Sequence, residues 1–391
     1  MEVEVNYVFP LKQHVGAPCV PVVEVDAVVK RGSLIAEPNG LGANIFSSVA
    51  GRVVSIDDNS ITIDADKVQS DEFVPLKSTE PLDLIKEAGI IGAGGAGFPA
   101  AVKFATPVPK GTVIVNAAEC EPFLKHNIKF AEAHPEMIIR GLQIVMDIVQ
   151  ADQGYIAIKT KNLKAMTALG RACKEIKNIT VKALPEMYPA GDERVIIREI
   201  LGIVLEPGQL PSKANAVVSN VETIKNIVRA VDKKMPCIVK DITVAGRVQN
   251  PQVFFDVPIG SPISTYVEQA GGFIEPRGEL VLGGPFTGQP GDENRPVVKT
   301  LGGVLAAVPF PKETRKFGVI GCECGAGIPR LTQIAEDMGG EVVASTNCKR
   351  MVDVNGRLRC DLPGICPGQA EKVLYLKKEG AQVIIAGTCE G

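Results

Sequence analysis

The chain has 391 residues, of which 45% are hydrophobic and 22% are charged, and its formal net charge is −3. A chain of this length needs more than one ordinary domain, so we expect about two to four. The near-neutral charge, without a basic arm or a block of like charges, argues against a nucleic-acid partner. The N-terminus lacks the apolar core of a signal peptide, and no run of about 18 apolar residues predicts a membrane span. We therefore expect a cytoplasmic protein without direct membrane insertion, and docking on a membrane complex through a partner stays open.

The first 65 residues are rich in valine, glycine and turn residues, which is typical of short strands joined by tight turns. The pattern predicts strands over 20–25, 33–36, 44–47, 51–56 and 60–63. The N-terminal region should therefore be a small β domain, which we place at residues 1–70.

The most informative pattern is a pair of segments about twenty residues apart. The first, residues 89–99, is rich in glycine and leads into a short helix that carries Lys103. Glycines let backbone amides approach an anionic group closely, and a helix start adds free N–H donors. The second is a predicted buried strand over 113–115, which ends in Asn116 and an acidic loop with Glu119 and Glu121. Together these segments predict a site for a phosphorylated cofactor, with Lys103 supplying a positive charge to the phosphate.

Two later loops precede predicted helices in the same way. Residues 186–194 lead into a helix over 192–201, and residues 215–223 lead into a helix over 221–231. Asp192 and Asn220 are good N-cap residues, so helix capping alone would explain either loop. With further helices over 135–148 and 164–176 and a strand over 155–158, residues 80–235 predict an α/β layer. Its sheet should be largely parallel, and ligands should lie where its strands end.

In their order along the chain, these four loops resemble the flavin-binding core of the complex I NADH-binding flavoprotein subunit. They resemble RnfC, a component of the Rnf electron-transport complex, still more closely. The resemblance implies that FMN and NADH bind over residues 80–235, with Phe98 stacking on the nicotinamide and Glu121 reading polar groups of NADH. It implies the following cofactor-binding residues: Gly92, Gly94, Gly95, Gly97, Phe98, Lys103, Asn116, Glu119, Glu121, Tyr188, Gly191, Asp192, Glu193, Asn220 and Thr223.

Two flanking regions resemble the same family. Residues 14–18 and 48–53 resemble its N-terminal barrel-sandwich domain, a fold that carries biotin or lipoate in other proteins. No lysine with the usual carrier motif stands at the hairpin tip, so a purely structural domain is expected. Residues 238–300 resemble the soluble-ligand-binding β-grasp domain, and we expect this module to pack against the flavin domain.

Six of the ten cysteines lie in the last 70 residues, and structural disulfides are not expected in a large cytoplasmic chain. Predicted strands over 317–320, 341–344 and 382–386 alternate there with predicted helices over 328–338 and 367–379. A cysteine follows each strand, and the carboxyl ends of parallel strands share one edge of a sheet. We therefore expect a redox domain over residues 312–391. Its catalytic cysteines should be Cys322, Cys324, Cys348 and Cys389, although six scattered buried thiols are the alternative.

The chemistry of these cysteines stays open at this point. The ferredoxin-type cysteine runs that end the RnfC proteins are absent from this chain. The tail instead resembles small iron–sulfur electron-transfer domains associated with hydrogenase and heterodisulfide reductase systems. Thiolates at helix N-termini act as metal ligands and as nucleophiles, so an Fe–S cluster, a zinc site and a redox dithiol are all chemically possible.

Over the whole chain, the resemblance is closest to the electron-transfer proteins associated with D-proline reductase. These soluble relatives of RnfC carry a Cys-x-x-selenocysteine motif, and Cys389 stands two residues before the end of this chain. Because selenocysteine is encoded by a stop codon, we expect a UGA codon after Gly391 and a redox pair with Cys389.

The resemblance thus implies a soluble flavoprotein with an α/β multidomain fold. A barrel-sandwich, a Rossmann-like flavin domain, a β-grasp module and a three-stranded parallel cysteine domain should follow one another. Electrons would pass from NADH or an Rnf-type donor through FMN to the tail cysteines, and then to a partner reductase such as D-proline reductase. Two alternatives remain: an Rnf-type subunit that docks to a membrane electron-transport complex, and a non-enzymatic adaptor with a zinc-stabilised tail.

Overall fold

The computed structural model describes residues 6–95 and 97–388. Cys389, which the sequence predicts as a redox cysteine, lies outside the described residues. Within the described part of the chain, no helix combines the length and the apolar character needed to cross a bilayer.

The N-terminal region forms two small antiparallel sheets around a common apolar core. The strands are β1 (Asn6–Pro10), β2 (Cys19–Pro21), β3 (Val28–Val29), β4 (Leu34–Pro38), β5 (Ile45–Phe46), β6 (Gly51–Ile56) and β7 (Ser60–Ala65). One sheet has the order β1-β7-β6-β3 and the other β2-β4-β5. The predicted strands over 51–56 and 60–63 are confirmed, whereas the strand predicted over 20–25 ends at Pro21. β1 was not predicted, because its ladder partner, β7, lies about fifty residues away in sequence.

The second region is a four-stranded parallel sheet with helices packed around it. Its strands are β8 (Thr112–Ala117), β9 (Gln153–Lys159), β10 (Ile179–Leu184) and β11 (Ala216–Asn220). Its helices are α1 (Pro81–Glu87), α2 (Ala100–Phe104), α3 (His126–Ala133), α4 (Pro135–Val149), α5 (Leu163–Ala172), α6 (Glu193–Leu201) and α7 (Val221–Lys233). The strand order is β10-β9-β8-β11, so β8 is central and the predicted parallel α/β layer is confirmed. The sequence analysis did not predict α1, α3 or β10.

The third region is a five-stranded mixed sheet with one helix. Its elements are β12 (Val239–Gly246), β13 (Gln252–Pro258), α8 (Ile263–Gln269), β14 (Leu280–Leu282), β15 (Gln289–Gly291) and β16 (Gly303–Ala306). The order is β13-β12-β16-β14-β15, and a separate apolar core includes Ile242, Ile263 and Val304. The middle strand, β16, lies beyond residue 300, where we expected this domain to end.

Buried ion pairs join this sheet to the parallel one. Lys240 on β12 pairs with Glu222 on α7, and both side chains are 2% exposed. Lys225 on α7 donates to both carboxylate oxygens of Asp241, at 2.6 and 2.7 Å. Removing one member of such a pair would leave an uncompensated buried charge. The two sheets are therefore fixed to each other.

The C-terminal region is a three-stranded parallel sheet with two helices and a hairpin. Its elements are β17 (Lys316–Gly321), α9 (Ile328–Asp337), β18 (Glu341–Asn347), β19 (Met351–Val354), β20 (Arg357–Cys360), α10 (Ala370–Lys378) and β21 (Val383–Ala386). The order is β18-β17-β21, which confirms the predicted parallel arrangement. The helix predicted over 367–379 begins only at Ala370. Gly368 has a φ of +71°, a left-handed conformation that a right-handed helix cannot contain. The hairpin of β19 and β20 was not predicted.

Candidate functional site: a cavity at the strand ends and an adjoining thiol cluster

The central strand β8 and the edge strand β11 of the parallel sheet end side by side. β8 and β11 are neighbours, and their register pairs Asn116 with Asn220. Asn220 also caps α7, since its side chain accepts a hydrogen bond from the Glu222 amide at 2.8 Å. Asn116 donates to the Gly191 carbonyl at 2.9 Å and accepts from the Ala118 amide at 3.1 Å. The Asn116 side chain thus holds the loop after β8 and the loop before α6 at the carboxyl ends of the strands.

The glycine-rich loop is anchored to the start of α7. The Ala93 amide donates to the Thr223 hydroxyl at 3.0 Å, and that hydroxyl contacts the Ile91 carbonyl at 3.2 Å. Gly95 has a φ of +100°, and a Cβ built there would meet no protein atom within 4 Å. The loop therefore presents open backbone to the space beside the sheet edge.

That space is a cavity of about 1130 Å³. Thirteen of the fifteen predicted cofactor-binding residues line it: Gly92, Gly94, Gly95, Phe98, Lys103, Asn116, Glu119, Glu121, Gly191, Asp192, Glu193, Asn220 and Thr223. Gly97 and Tyr188 are not part of the wall. The Gly97 carbonyl instead accepts from the Val15 amide at 2.9 Å, which links the glycine loop to the N-terminal region.

A cation and a helix start meet on one side of the cavity. Lys103 on α2 pairs with Glu193 at 2.5 Å, and the two side chains are 29% and 40% exposed. Asp192 caps α6, accepting from the Arg194 amide at 2.8 Å, as its N-cap residue type predicted. In the free protein the charge of Lys103 is thus directed at Glu193, beside the N-terminus of α6.

Glu119 and Asn127 form a polar part of the wall. Glu119 has a φ of +39° and accepts a hydrogen bond from the Asn127 amide at 3.2 Å. Burial raises the pKa of the Glu119 carboxyl to about 7. Asn127 also lines the cavity, and its Oδ1 is buried without a hydrogen-bond partner. An acceptor in that state favours a ligand that donates to it. No pattern in the sequence pointed to Asn127, which lies at the start of the unpredicted α3.

The carboxylate of Glu121 is engaged by the third region. It accepts from the Phe286 amide at 3.0 Å, the Thr287 amide at 3.1 Å and the Thr287 hydroxyl at 2.6 Å. A Cβ at Gly284 would lie 2.2 Å from the Glu121 Cδ, so the approach requires glycine. Glu121 therefore holds the loop between β14 and β15 against the cavity, and its predicted contact with NADH stays a prediction.

The C-terminal region completes the wall with Glu323 and Arg359. Arg194, which is 11% exposed, donates to Glu323 at 3.1 Å and to the Cys360 carbonyl at 2.6 Å. Tyr188 donates through its hydroxyl to the Cys324 carbonyl. Because Glu323 stands between Cys322 and Cys324, the thiols after β17 lie one residue from the cavity.

Three thiols are grouped at this position. The Cys324 thiol lies beside both Cys322 and Cys360, and it can donate its single proton to either of them. Hydrogen bonding from Cys324, with further donors at Thr388 and in the backbone, lowers the pKa of Cys322 to about 6. The same Cys324 bond lowers the pKa of Cys360, whereas the two bonds raise the pKa of Cys324 itself.

Cys348 lies at the same edge of the sheet. Burial raises the pKa of its thiol, and the charges of Cys322 and Cys360 raise it further. Gln369 donates to its sulfur at 3.0 Å. Among residues 6–95 and 97–388, no group of three or more His, Cys, Asp or Glu side chains is arranged to hold a metal ion. The sequence did not single out Cys360, because its position depends on the unpredicted hairpin.

Comparison with known families agrees with this division of the chain. Residues 1–71 match the family described as the RnfC barrel sandwich hybrid domain. Residues 85–229 match the Nuo51 FMN-binding domain, and residues 242–289 match the SLBB domain. The FMN-binding match covers the glycine loop and the ends of β8 and β11. The region that carries the cavity is therefore an FMN-binding domain.

A chain of the NAD+-reducing [NiFe]-hydrogenase in its air-oxidized state superposes with a TM-score of 0.48 at 22% identity, over 57% of this chain and 46% of that chain. Cobalamin reductase PduS of Citrobacter freundii is 40% identical over 222 residues, which cover 56% of this chain and 48% of that protein. Two relatives, both C components of ferredoxin:NAD(+) oxidoreductase complexes, match over more of their length. The one from the proton-translocating complex of Clostridium ljungdahlii is 34% identical over 318 residues, covering 76% of this chain and 69% of that protein. The one from the Na(+)-translocating complex of Acetobacterium woodii is 31% identical over 332 residues, covering 79% and 74%. On these matches, the protein belongs to the RnfC family of ion-translocating oxidoreductase complex components.

Proposed function

We propose that this protein is an electron-transfer flavoprotein that passes electrons between NADH or a reduced donor, FMN and the C-terminal thiols, and then to a partner reductase. The observation that carries the proposal is that one cavity is lined both by thirteen predicted cofactor positions and by Glu323, which lies between Cys322 and Cys324. FMN, when bound, supplies chemistry that accepts a hydride and releases electrons one at a time.

The residues present fit a flavin nucleotide. The open backbone at Gly95, the Lys103 ammonium and the start of α6 would hold the phosphate. The unpartnered Oδ1 of Asn127 would accept from a ring N–H. Phe98, which is 37% exposed, lies at the wall where a second planar ring could stack.

Glu119 and the loop between β14 and β15 would control protons and water. With a pKa of about 7, the Glu119 carboxyl can take up or release a proton near neutral pH. The loop that Glu121 anchors lines the cavity through Gly284 and Thr287, so it limits the access of water. Both features would favour reduction and reoxidation within the cavity.

The proposal is tested by purifying the protein and recording its visible spectrum before and after titration with FMN. We expect flavin absorbance and stoichiometric FMN binding, and anaerobic NADH should bleach the flavin bands. A colourless protein that fails to bind FMN and contains stoichiometric zinc would contradict the proposal and favour the adaptor alternative.

The likeness to components of ion-translocating complexes favours a second candidate, in which the protein docks to such a complex and receives electrons by protein contact. In that case FMN binds, NADH leaves its bands unchanged, and a reduced Rnf-type donor bleaches them. The D-proline reductase partner is tested separately, by D-proline-dependent reoxidation of the reduced flavin in the presence of that enzyme. None of the relatives described above is named for D-proline reductase, so this partner rests on the sequence resemblance.

A further inference from the structure

The thiol cluster after β17 is held together by a carboxylate. Glu323 accepts from the Cys360 amide and from Arg359, with the Arg359 contact at 2.7 Å. These bonds fix the end of β20 against the loop that carries Cys322 and Cys324. Two separate elements of the domain therefore supply the three thiols, and Glu323 holds these elements together.

The three thiols differ in access and in their surroundings. Cys322 and Cys324 are half-buried, whereas Cys360 is 6% exposed. The Cys322 sulfur accepts from the Thr388 hydroxyl at 3.3 Å and from the backbone amides of Cys324 and Gly325. Donors around a sulfur stabilise its thiolate, the form that attacks disulfides. Cys322 is thus the accessible nucleophile of the group.

We propose that Cys322, Cys324 and Cys360 form a thiol–disulfide exchange site that reduces a disulfide substrate. Cys322 attacks the disulfide, Cys324 resolves the mixed disulfide, and Cys360 takes the proton from Cys324. The exchange itself needs no flavin, and only the resupply of electrons to the site rests on the proposed function.

The steps balance in atoms and electrons. The Cys322 thiolate bonds to one sulfur of the substrate, and the electron pair of the broken S–S bond leaves on the other sulfur. Cys324 gives its proton to the Cys360 thiolate and attacks the Cys322 sulfur, which releases the second substrate thiolate. The substrate gains two electrons, and the protein holds one disulfide between Cys322 and Cys324. Two electrons, from a dithiol reductant or from the proposed flavin route, reduce this disulfide, and the proton held by Cys360 returns to Cys324, which restores the starting state.

The test uses the full chain, reduced and freed of flavin, in a background that carries Cys366→Ser to remove an exposed tail thiol. The aromatic disulfide dithiobis(nitrobenzoic acid) reports each attack as released thionitrobenzoate. Relative to the background, Cys322→Ser should release two fewer equivalents of thionitrobenzoate per chain. Cys324→Ser should release one fewer and accumulate a mixed disulfide on Cys322. Cys360→Ser should keep the first release and slow the second by at least roughly tenfold, because general-base assistance is lost.

Cys173→Ser, a buried thiol at the end of α5, is the matched control and should behave like the background. The background chain offers a test that does not depend on the folding of any cluster variant. After one exposure to oxidised glutathione, its tryptic peptide 317–330 should be lighter by two hydrogen atoms. Insulin with its disulfides intact, used in place of oxidised glutathione, shows whether the site reduces protein disulfides as well as small ones.

Three results would overturn the exchange role. They are full release of both equivalents by Cys324→Ser, a disulfide that joins Cys322 to Cys389, and thiols that react only after a chelator has removed zinc or iron. FMN titration of the same preparations separates this inference from the proposed function, because loss of exchange with intact FMN binding refutes only the thiol site.

Discussion

Replacement of Lys103 by alanine should weaken FMN binding by an amount that the structure allows us to bound. A charge-assisted hydrogen bond to phosphate contributes about 1.5–3 kcal/mol. In the free protein, however, Lys103 is paired with Glu193, and the two side chains are 29% and 40% exposed. An ion pair that exposed is worth about 0.2–1 kcal/mol, which binding must give up. The net loss should therefore be about 0.5–2.8 kcal/mol, or roughly 2- to 100-fold in Kd.

The pairing with Glu193 makes the prediction sharper. Glu193→Gln frees Lys103 and removes a negative charge beside the phosphate, so this variant should bind FMN somewhat more tightly than the unsubstituted protein. In that background Lys103→Ala should show the full loss of about 1.5–3 kcal/mol. The coupling between the two substitutions is the measured quantity in a double-mutant cycle.

The assay is quenching of FMN fluorescence by the flavin-free protein. Lys164→Ala, an exposed lysine on α5 away from the cavity, is the matched control and should leave the Kd unchanged. If Lys103→Ala also keeps the Kd within about twofold in both backgrounds, the phosphate does not lie at Lys103. The placement of FMN against the glycine loop would then be wrong.

Three further predictions follow from other contacts. Lys240→Met should lower the stability of the protein by about 3–5 kcal/mol in urea unfolding, because Glu222 is left buried and unpaired, and adding Glu222→Gln should recover part of the loss. The pKa of Glu119 is raised from 4.5 to about 7, so the folded state holds the carboxyl proton more tightly than the unfolded state does. The protonated carboxyl therefore contributes to stability below about pH 4.5, and this contribution is lost as the pH rises through 7. The unfolding free energy of Glu119→Gln should accordingly fall less steeply between pH 5 and 7, and an unchanged slope would contradict the assignment. Arg194→Met should speed amide hydrogen exchange in the C-terminal region, since it removes the bonds to Glu323 and to the β20 end, and unchanged exchange rates there would show that these bonds do not fix the docking.

Local patterns in the sequence were enough to predict the parallel sheet and its main helices. The alternation over 80–235 encodes strands of period two and helices of period 3.6, and β8, β9, α4 and α7 appear where that pattern predicts them. The same reasoning predicted the parallel strands of the cysteine region. The glycine loop was recognisable because its amides and the following helix start have a chemistry that is visible in a short segment.

Contacts between segments distant in sequence could not be predicted from these local patterns. Cys360 joins Cys322 and Cys324 only because the Glu323 carboxylate binds its amide, across a hairpin that the periodicity did not indicate. Glu121 is engaged by Thr287, a residue more than 160 positions later. Such pairings depend on which strand lies beside which, and a one-residue change in register would redirect every side chain.

The sequence by itself thus determined the element types, the phosphate-binding character of the glycine loop and the family, because these depend on spacing and residue chemistry within short stretches. The tertiary structure alone decided that the cavity is shared by four regions of the chain, with Glu323 bringing the thiols to its wall. The physical reason is that hydrogen bonds and ion pairs between regions act over a few ångströms in space, whatever the separation of their partners along the chain.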